Sequence, residues 1–333
     1  MRRAKTLDNA LHVSGLIGCS LLVVAALLLG SRTPLAGQQP GPSPVPTVAT
    51  VPDTTHVLGL DNIKRGAKGR LAIASETLRF EVSTATADVS IASIQDVFTD
   101  QDSKQLVTGT KGTLAKLAMP YGSGRVLSLV ATQKVDVLTL EYRDSAGGLH
   151  GVIFTLPQGQ APAVKGHLVE LGAHATVPPE ELAEPRTASG RTTGEKISAS
   201  AIQIEPVESN ETALPPEFRV GIYENLVAEV GKTGKFQHVY RSGDRAAADA
   251  PDLLMVRTRV EGFKLGSQKQ REVTTVAGAT TIKTSVQVVT RDGRTVVNRE
   301  VEGKVRFFGG NLNATSDFAK KAAVAIGEVT GQI

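Results

Sequence analysis

Arg257, Arg259 and Glu261 alternate with Val256, Thr258 and Val260, and that two-residue period places the three charged side chains on one face of a strand. Two guanidinium groups projecting together can grip carboxylates or phosphates by bidentate hydrogen bonds and by charge. Basic character continues through Lys269, Arg271, Lys283, Arg291, Arg294, Arg299, Lys304 and Arg306, with Glu272, Glu300 and Glu302 between. The interspersed glutamates favour reading the ribbon as a solvated sheet face of mixed charge. The sharper alternative is a binding surface for an anionic partner, with Arg257, Arg259, Arg271, Arg299 and Arg306 as contacts.

Covalent chemistry has weaker candidates. No G-x-S-x-G turn is present to raise a serine nucleophile, and the single cysteine, Cys19, lies in an apolar run. Gly231-Lys232-Thr233-Gly234-Lys235 lacks the spacing of a phosphate loop and reads as a helix end. His167 and His174 would sit two helical turns apart, about 10 Å, too far to share one ion. His56, His150 and His238 form no cluster in sequence, and Glu180, Glu181 and Glu184 fall in a linker. The expectation is a protein without catalytic residues, metal or cofactor; the alternative is a small-ligand binder or enzyme whose residues converge only in three dimensions.

What must position the ribbon begins with an address. Arg2, Arg3 and Lys5 precede an uncharged stretch from Val13 to Gly30, with LLVVAALLL over Leu21 to Leu29. As a helix this is about 27 Å long, close to the ~30 Å hydrocarbon core of a membrane. The charge asymmetry leaves the N-terminus in the cytosol and the bulk outside. Three fates are open for this helix: retention as an anchor, cleavage after Leu35-Ala36-Gly37, or lipidation at Cys19 in Leu16-Ile17-Gly18-Cys19. Retention is the reading carried forward, because the apolar core follows Cys19 instead of preceding it and the cleavage site is a poor small-residue match.

At 333 residues, 41% hydrophobic and 21% charged, the exported part can bury cores for about two domains. With no cysteine beyond residue 19, packing alone must hold it. A net charge of +4 and the absence of Trp, with 4% aromatics, argue against a nucleic-acid partner. Pro34, Pro40, Pro42, Pro44, Pro46 and Pro52 mark a second break in composition, and Pro178, Pro179 and Pro185 a third. The expected order is therefore a signal or anchor helix over 1–30, a proline-rich tether over 31–56, a β-rich domain over 57–175, a linker over 176–196 and an α/β domain over 197–333.

Within 57–175, Leu71, Ile73, Leu78, Phe80 and Val82 alternate as a hairpin. Val135 to Tyr142 and Val152 to Leu156 form another, around Arg143 to Gly148, and Ala161 to Leu171 closes as a helix. Several antiparallel strands and one closing helix resemble the pleckstrin-homology-like superfold. That resemblance implies phosphate contacts near Lys64, Arg65, Lys68 and Arg70, although the basic spacing of its lipid-binding members is not reproduced.

Within 197–333, Ile202 and Ile204 make a strand. Pro215-Pro216 opens a helix with Phe218, Ile222, Leu226 and Val230 on one face, and Phe236, Val239 and Tyr240 form a further strand. Long strands follow over 253–263, 272–290 and 295–308, the last two joined at Asp292-Gly293, and Ser316 or Asp317 caps a final helix. This order, with Asp252-Leu253-Leu254, Val260-Glu261-Gly262-Phe263 and Gly309-Gly310, resembles the bacterial envelope and lipoprotein domain of unknown function 4410 type, in the outline of the TolB N-terminal domain. Members of that family carry a lipidated cysteine, which this chain lacks if Cys19 is buried.

The expected class is α+β: an N-terminal membrane helix, a β-rich, pleckstrin-homology-like domain and a small α/β domain with a mixed or antiparallel sheet and two helices. The expected function is that of an exported, membrane-tethered, non-enzymatic adaptor or assembly factor of the bacterial cell surface. It would touch the cell membrane through residues 13–30 and an envelope protein or anionic cell-surface polymer through the ribbon.

Overall fold

Strand begins earlier than proline content suggests. The computed structural model describes residues 49–100, 135–175, 197–209, 214–267, 278–305 and 310–331, and its first strand, β1, covers Ala49–Leu58. Residues 49–56, expected as tether, are therefore sheet. Pro52 is accommodated because the register shifts between Val51 and Thr54, so its missing N–H removes no ladder bond. Asp53 takes the left-handed backbone, φ 53°, at the same irregularity.

Six further strands complete an antiparallel sheet. They are β2 (Lys68–Ala74), β3 (Thr77–Val82), β4 (Ala85–Ser90), β5 (Ile94–Thr99), β6 (Val135–Arg143) and β7 (Leu149–Pro157). The sheet order is β4-β3-β2-β1-β7-β6-β5, which puts β1 at the centre. Helix α1 (Gln160–Glu170) turns Ala161, Val164 and Leu168 inward, onto a core that includes Leu71, Phe80, Leu138 and Phe154.

The second sheet is mixed. β9 (Ala201–Ser209) runs parallel to both β10 (His238–Arg241) and β11 (Leu253–Lys264), while β12 (Thr280–Thr290) and β13 (Thr295–Val305) continue antiparallel from β11. A short parallel pair joins β8 (Ile197–Ser198) to β14 (Thr330–Gly331). Helices α2 (Pro216–Lys232) and α3 (Asn313–Val329) cross closely, with Thr315 against Gly221, where an added Cβ would sit 3.0 Å from the threonine hydroxyl.

Helix α2 decides the architecture. Phe218, Ile222, Leu226 and Val230 are buried as their spacing requires, but so are Val220, Tyr223, Glu224 and Asn225. A helix buried nearly all round has packing on both sides. Leu58, Val137 and Ile153 of the first sheet join Phe218, Leu226 and Val256 in one hydrophobic core. Residues Pro46–Ile333 accordingly make one compact unit.

The expected α+β class is corrected: among the described residues strand makes up 49% and helix 26%, so they are mostly β, with two main sheets and three helices. Helix was overweighted because β1 and β4, ATVPDTTHVL and ATADVS, carry few apolar side chains to announce them. No helix among the described residues is long and apolar enough to cross a membrane. The anchor read over 13–30, Cys19 and the linker over 176–196 lie outside the described residues. Two smaller expectations also change. Strand β12 is described from Thr280, with 272–277 of the expected strand outside the described residues, and Asp317 lies inside α3, where its carboxylate accepts the Lys304 backbone N–H at 2.8 Å.

Candidate functional site

Glu224 of α2 and Arg241 at the end of β10 meet at the seam between the sheets. Arg241 Nη1 donates to Glu224 Oε1 at 2.7 Å and Nη2 to Oε2 at 2.9 Å, a two-pronged pairing. Glu224 is buried, at 5% exposure, and Arg241 is largely enclosed, at 13%. Each also reaches the first sheet: Glu224 Oε1 accepts the Gly151 N–H at 2.8 Å, and Arg241 Nη1 donates to the Leu149 carbonyl at 3.1 Å. Asp61 stands 3.8 Å from the same guanidinium. Burial pulls the Arg241 pKa down, but the Glu224 charge and hydrogen bonds outweigh it and raise the pKa above the ordinary arginine value. Arg241 therefore stays charged, and the pair acts as a bolt between the sheets.

The tip of the β6–β7 hairpin is locked to the same place. Asp144 Oδ1 accepts the N–H groups of Ala146 and Gly148, each at 2.8 Å, and Oδ2 lies 3.0 Å from His150 Nε2. Burial raises the Asp144 pKa, yet these hydrogen bonds, led by that of His150, prevail and hold it below the usual carboxylate value. The tip then docks on the second sheet: Leu149 N–H donates to Ser242 O at 2.9 Å and Arg245 N–H to Ala146 O at 3.1 Å. Gly147 and Gly243 pass so closely that a Cβ on Gly147 would lie 2.7 Å from the Gly243 carbonyl oxygen. Glycine is required there also by φ values of 93° and 81°.

Beside this seam lies a cleft of about 40 Å³ lined by Glu141, His150, Val207, Arg219, Val220 and Tyr223. It has room for a few waters and is far below the ~300 Å³ of a usual small-molecule pocket. Its charged groups are engaged, since Arg219 pairs with Glu141 at 2.9 Å and lies over the Phe98 ring. Tyr223 accepts the Ser242 N–H at 3.0 Å, and burial raises its phenol pKa well above the ordinary value, as it does for Tyr142. His150 Nδ1 is buried with no hydrogen-bond partner among the described residues, as are Thr258 Oγ1 and Thr284 Oγ1 in the second sheet. Neutral phenols and a tied imidazole offer no activated nucleophile.

The sequence-predicted ribbon divides. Arg257 and Arg259 share the outer face of the second sheet, opposite Gln287 and Ser285. Arg259 donates to Glu208 Oε2 at 2.8 Å and 3.1 Å. Arg257 is exposed, and its charge partly offsets the burial that raises the Glu205 pKa. Ser285 pairs with Glu300 and Lys283 with Glu302, so the face carries both signs of charge. Arg299 pairs instead with Val286, a core residue, and therefore projects from the opposite, helix-bearing face.

Other ribbon members have local duties. Arg291 donates to the carbonyls of Ala247, Ala248 and Ala250, tying the connector that covers Ala201 and Leu253. Arg294 pairs with Asp292 at 3.1 Å. Arg271, Arg306 and Lys269 lie outside the described residues. In the first sheet, Arg70 is paired with Glu81. Among the described residues no group of three or more His, Cys, Asp and Glu is placed to hold a metal ion.

Sequence alone assigns no role to Glu224, Arg241 or Asp144, and His150 is set aside there as part of no cluster. One signal was present: a glutamate between Ile222 and Leu226, near the apolar face of a helix, needs a cation when buried. Comparison with known proteins adds little. No family model and no curated protein matches the chain. Among solved structures, the PelC dodecamer from Paraburkholderia phytofirmans is 10% identical, aligning 40% of this chain with 94% of that one at a TM-score of 0.32. A neuraminyllactose-binding hemagglutinin homolog from Helicobacter pylori is 11% identical, over 41% of this chain and 88% of that one, at a TM-score of 0.25.

Proposed function

We propose that this chain is an exported, membrane-tethered, non-enzymatic adaptor of the bacterial envelope, anchored through residues 13–30 and binding its partner on the outer face of the second sheet. The observation that carries the reading is the uneven dress of that sheet. Helices α2 and α3 both pack on one face, as the shared core of Phe218, Phe318, Val256 and Val286 records. Beyond the small cover over Ala201 and Leu253, the other face presents Arg257, Lys283, Asn298, Glu300 and Glu302 as exposed side chains on long paired strands. Backbone pairing holds these groups in place, so binding would cost little ordering entropy. Their mixed signs suit an envelope protein of complementary pattern or an anionic polymer reached through Arg257.

Binding of the purified exported portion to envelope fractions, measured across a salt series, tests the reading. Capture should weaken as the screening length falls from ~10 Å at 0.1 M to ~3 Å at 1 M. A double variant, Arg257→Glu with Arg259→Glu, should capture less while unfolding at a nearly unchanged denaturant midpoint. Undiminished, salt-insensitive capture by that folded variant would remove the face from the argument.

A further inference from the structure

His56 reaches both limbs of a turn with its backbone and its ring. Its side chain is buried in β1, at 1% residue exposure, with the Phe80 and Phe154 rings 6.2 Å and 6.1 Å away. Its backbone N–H donates to Ala67 O at 2.9 Å, and its carbonyl accepts the Gly66 N–H at 2.8 Å. The ring completes the set: Leu60 N–H donates to Nε2 at 3.1 Å, and Nδ1 lies 3.3 Å from the Lys64 carbonyl. A backbone N–H can only donate and a carbonyl can only accept, so Nε2 is the bare nitrogen and Nδ1 carries the hydrogen. Geometry alone therefore makes this imidazole neutral.

The turn matters because of what it carries. Leu60 and Ile63 are buried in the first core, and Asp61 reaches to 3.8 Å from Arg241. Gly59, at φ 105°, is pressed against β7, where an added Cβ would lie 1.8 Å from the Gly151 carbonyl oxygen. Gly151 is the residue whose N–H binds Glu224. One ring thus ties the first sheet's turn to the outer edge of the seam.

We propose that His56 is an acid-operated latch: a proton taken from solvent onto Nε2 displaces the Leu60 N–H, frees the turn over 59–67 and lifts Asp61 from Arg241, while both sheets stay paired. The groups facing the ring make the neutral form the favoured one. Phe80 of β3 and Phe154 of β7 lie near it as tilted rings, and α1 presents Ala161, Val164 and Leu168 to the same core. On β2, Lys68 is paired with Thr55 and so leaves by the opposite face. The turn's own charged residues are Asp61, Lys64 and Arg65, and Arg65 opposes a proton on the ring. Burial, the largest influence, holds the His56 pKa below its ordinary value in spite of the Lys64 and Leu58 carbonyls.

The direction in pH follows from that lowering. A histidine with a depressed folded pKa binds fewer protons folded than unfolded, so stability rises with pH in the window between the two values. The latch is fully closed above the unfolded value of ~6.5 and opens as pH falls through the lower folded value. This device goes beyond the adaptor reading and stands without it.

Amide hydrogen exchange on the whole exported portion tests the latch, with intrinsic rates corrected at each pH. Protection of the Leu60 and Gly66 amides should fall about tenfold or more between about pH 7.5 and about pH 5, while amides of β6 and β12 hold. In His56→Gln, whose amide can accept and donate at the same two places but does not titrate, turn protection should stay flat. Loss of protection equal in wild type and His56→Gln, or no loss in wild type, overturns the proposal. If His56→Gln does not fold, imidazole nitrogen shifts of the wild type decide it. Protonation of Nε2 must share its midpoint with opening of the Leu60 amide, and opening around a ring that remains neutral refutes the latch.

Discussion

Arg241 and Arg259 each close an ion pair with a glutamate at nearly the same distance, 2.7 Å to Glu224 and 2.8 Å to Glu208. Their settings differ. Arg241 and Glu224 are 13% and 5% exposed, whereas Arg259 and Glu208 are 29% and 62% exposed. Water screens the outer pair, so it can exchange its partner for another anion at small cost. The inner pair has surrendered its hydration and can release neither member without leaving a buried charge. Two Arg–Glu pairs of nearly equal reach therefore differ in role: one fastens two sheets at the seam, and the other lies in water on the outer face of the second sheet. Distance does not tell them apart; burial does.

The largest expected effect breaks the inner pair. Glu224→Ala leaves Arg241 buried without its main counter-charge and takes the acceptor from the Gly151 N–H. Loss of one partner of a buried pair costs about 3–5 kcal/mol, which a fall in the urea midpoint of unfolding would register. A loss no greater than that of a surface pair would mean that the seam is hydrated in solution.

A milder break leaves the charges in place. In Gly151→Ala the new Cβ would lie 2.5 Å from a Val220 methyl, so α2 must withdraw from β7. Overpacking of this kind costs about 1–3 kcal/mol. The same equilibrium unfolding measures it, and an unchanged midpoint would show that α2 sits loosely on the first sheet.

The smallest effect sharpens the contrast from outside. Arg259→Ala should shift stability by about 0–1 kcal/mol, and added salt should erase even that. A salt-resistant loss comparable to that of Glu224→Ala would place Arg259 in the frame rather than on a water-screened surface.

Local signals in the chain were readable wherever the structure they specify is local. The Asp292-Gly293 turn forms as expected, with Gly293 at φ 87° and the Thr290 N–H bonded to Arg294 O at 2.9 Å. Pro216 opens α2, and Phe218, Ile222, Leu226 and Val230 are buried on it. Phe318, Ala322 and Ile326 are likewise buried on α3. Strand β1 was hidden because Thr54, Thr55 and His56 present no apolar alternation. Its place at the sheet centre comes from strands on either side, one of them about a hundred positions downstream through Thr55 and Thr155.

By itself, then, the amino-acid order determined helix faces, hairpin turns and the alternation that puts Arg257 and Arg259 on one side of β11, because each depends on neighbours a few residues away and on backbone periods of 2.0 or 3.6. Only the tertiary structure decided which charges would be dry. Gly151 and Glu224 are separated by 73 positions and Arg259 and Glu208 by 51, and nothing in either neighbourhood states that one glutamate will be enclosed and the other left in water. Burial is a property of the whole packed body. The strength of a charge depends on the dielectric around it, so the division between buried bolt and solvated pair existed only once two sheets had closed on α2.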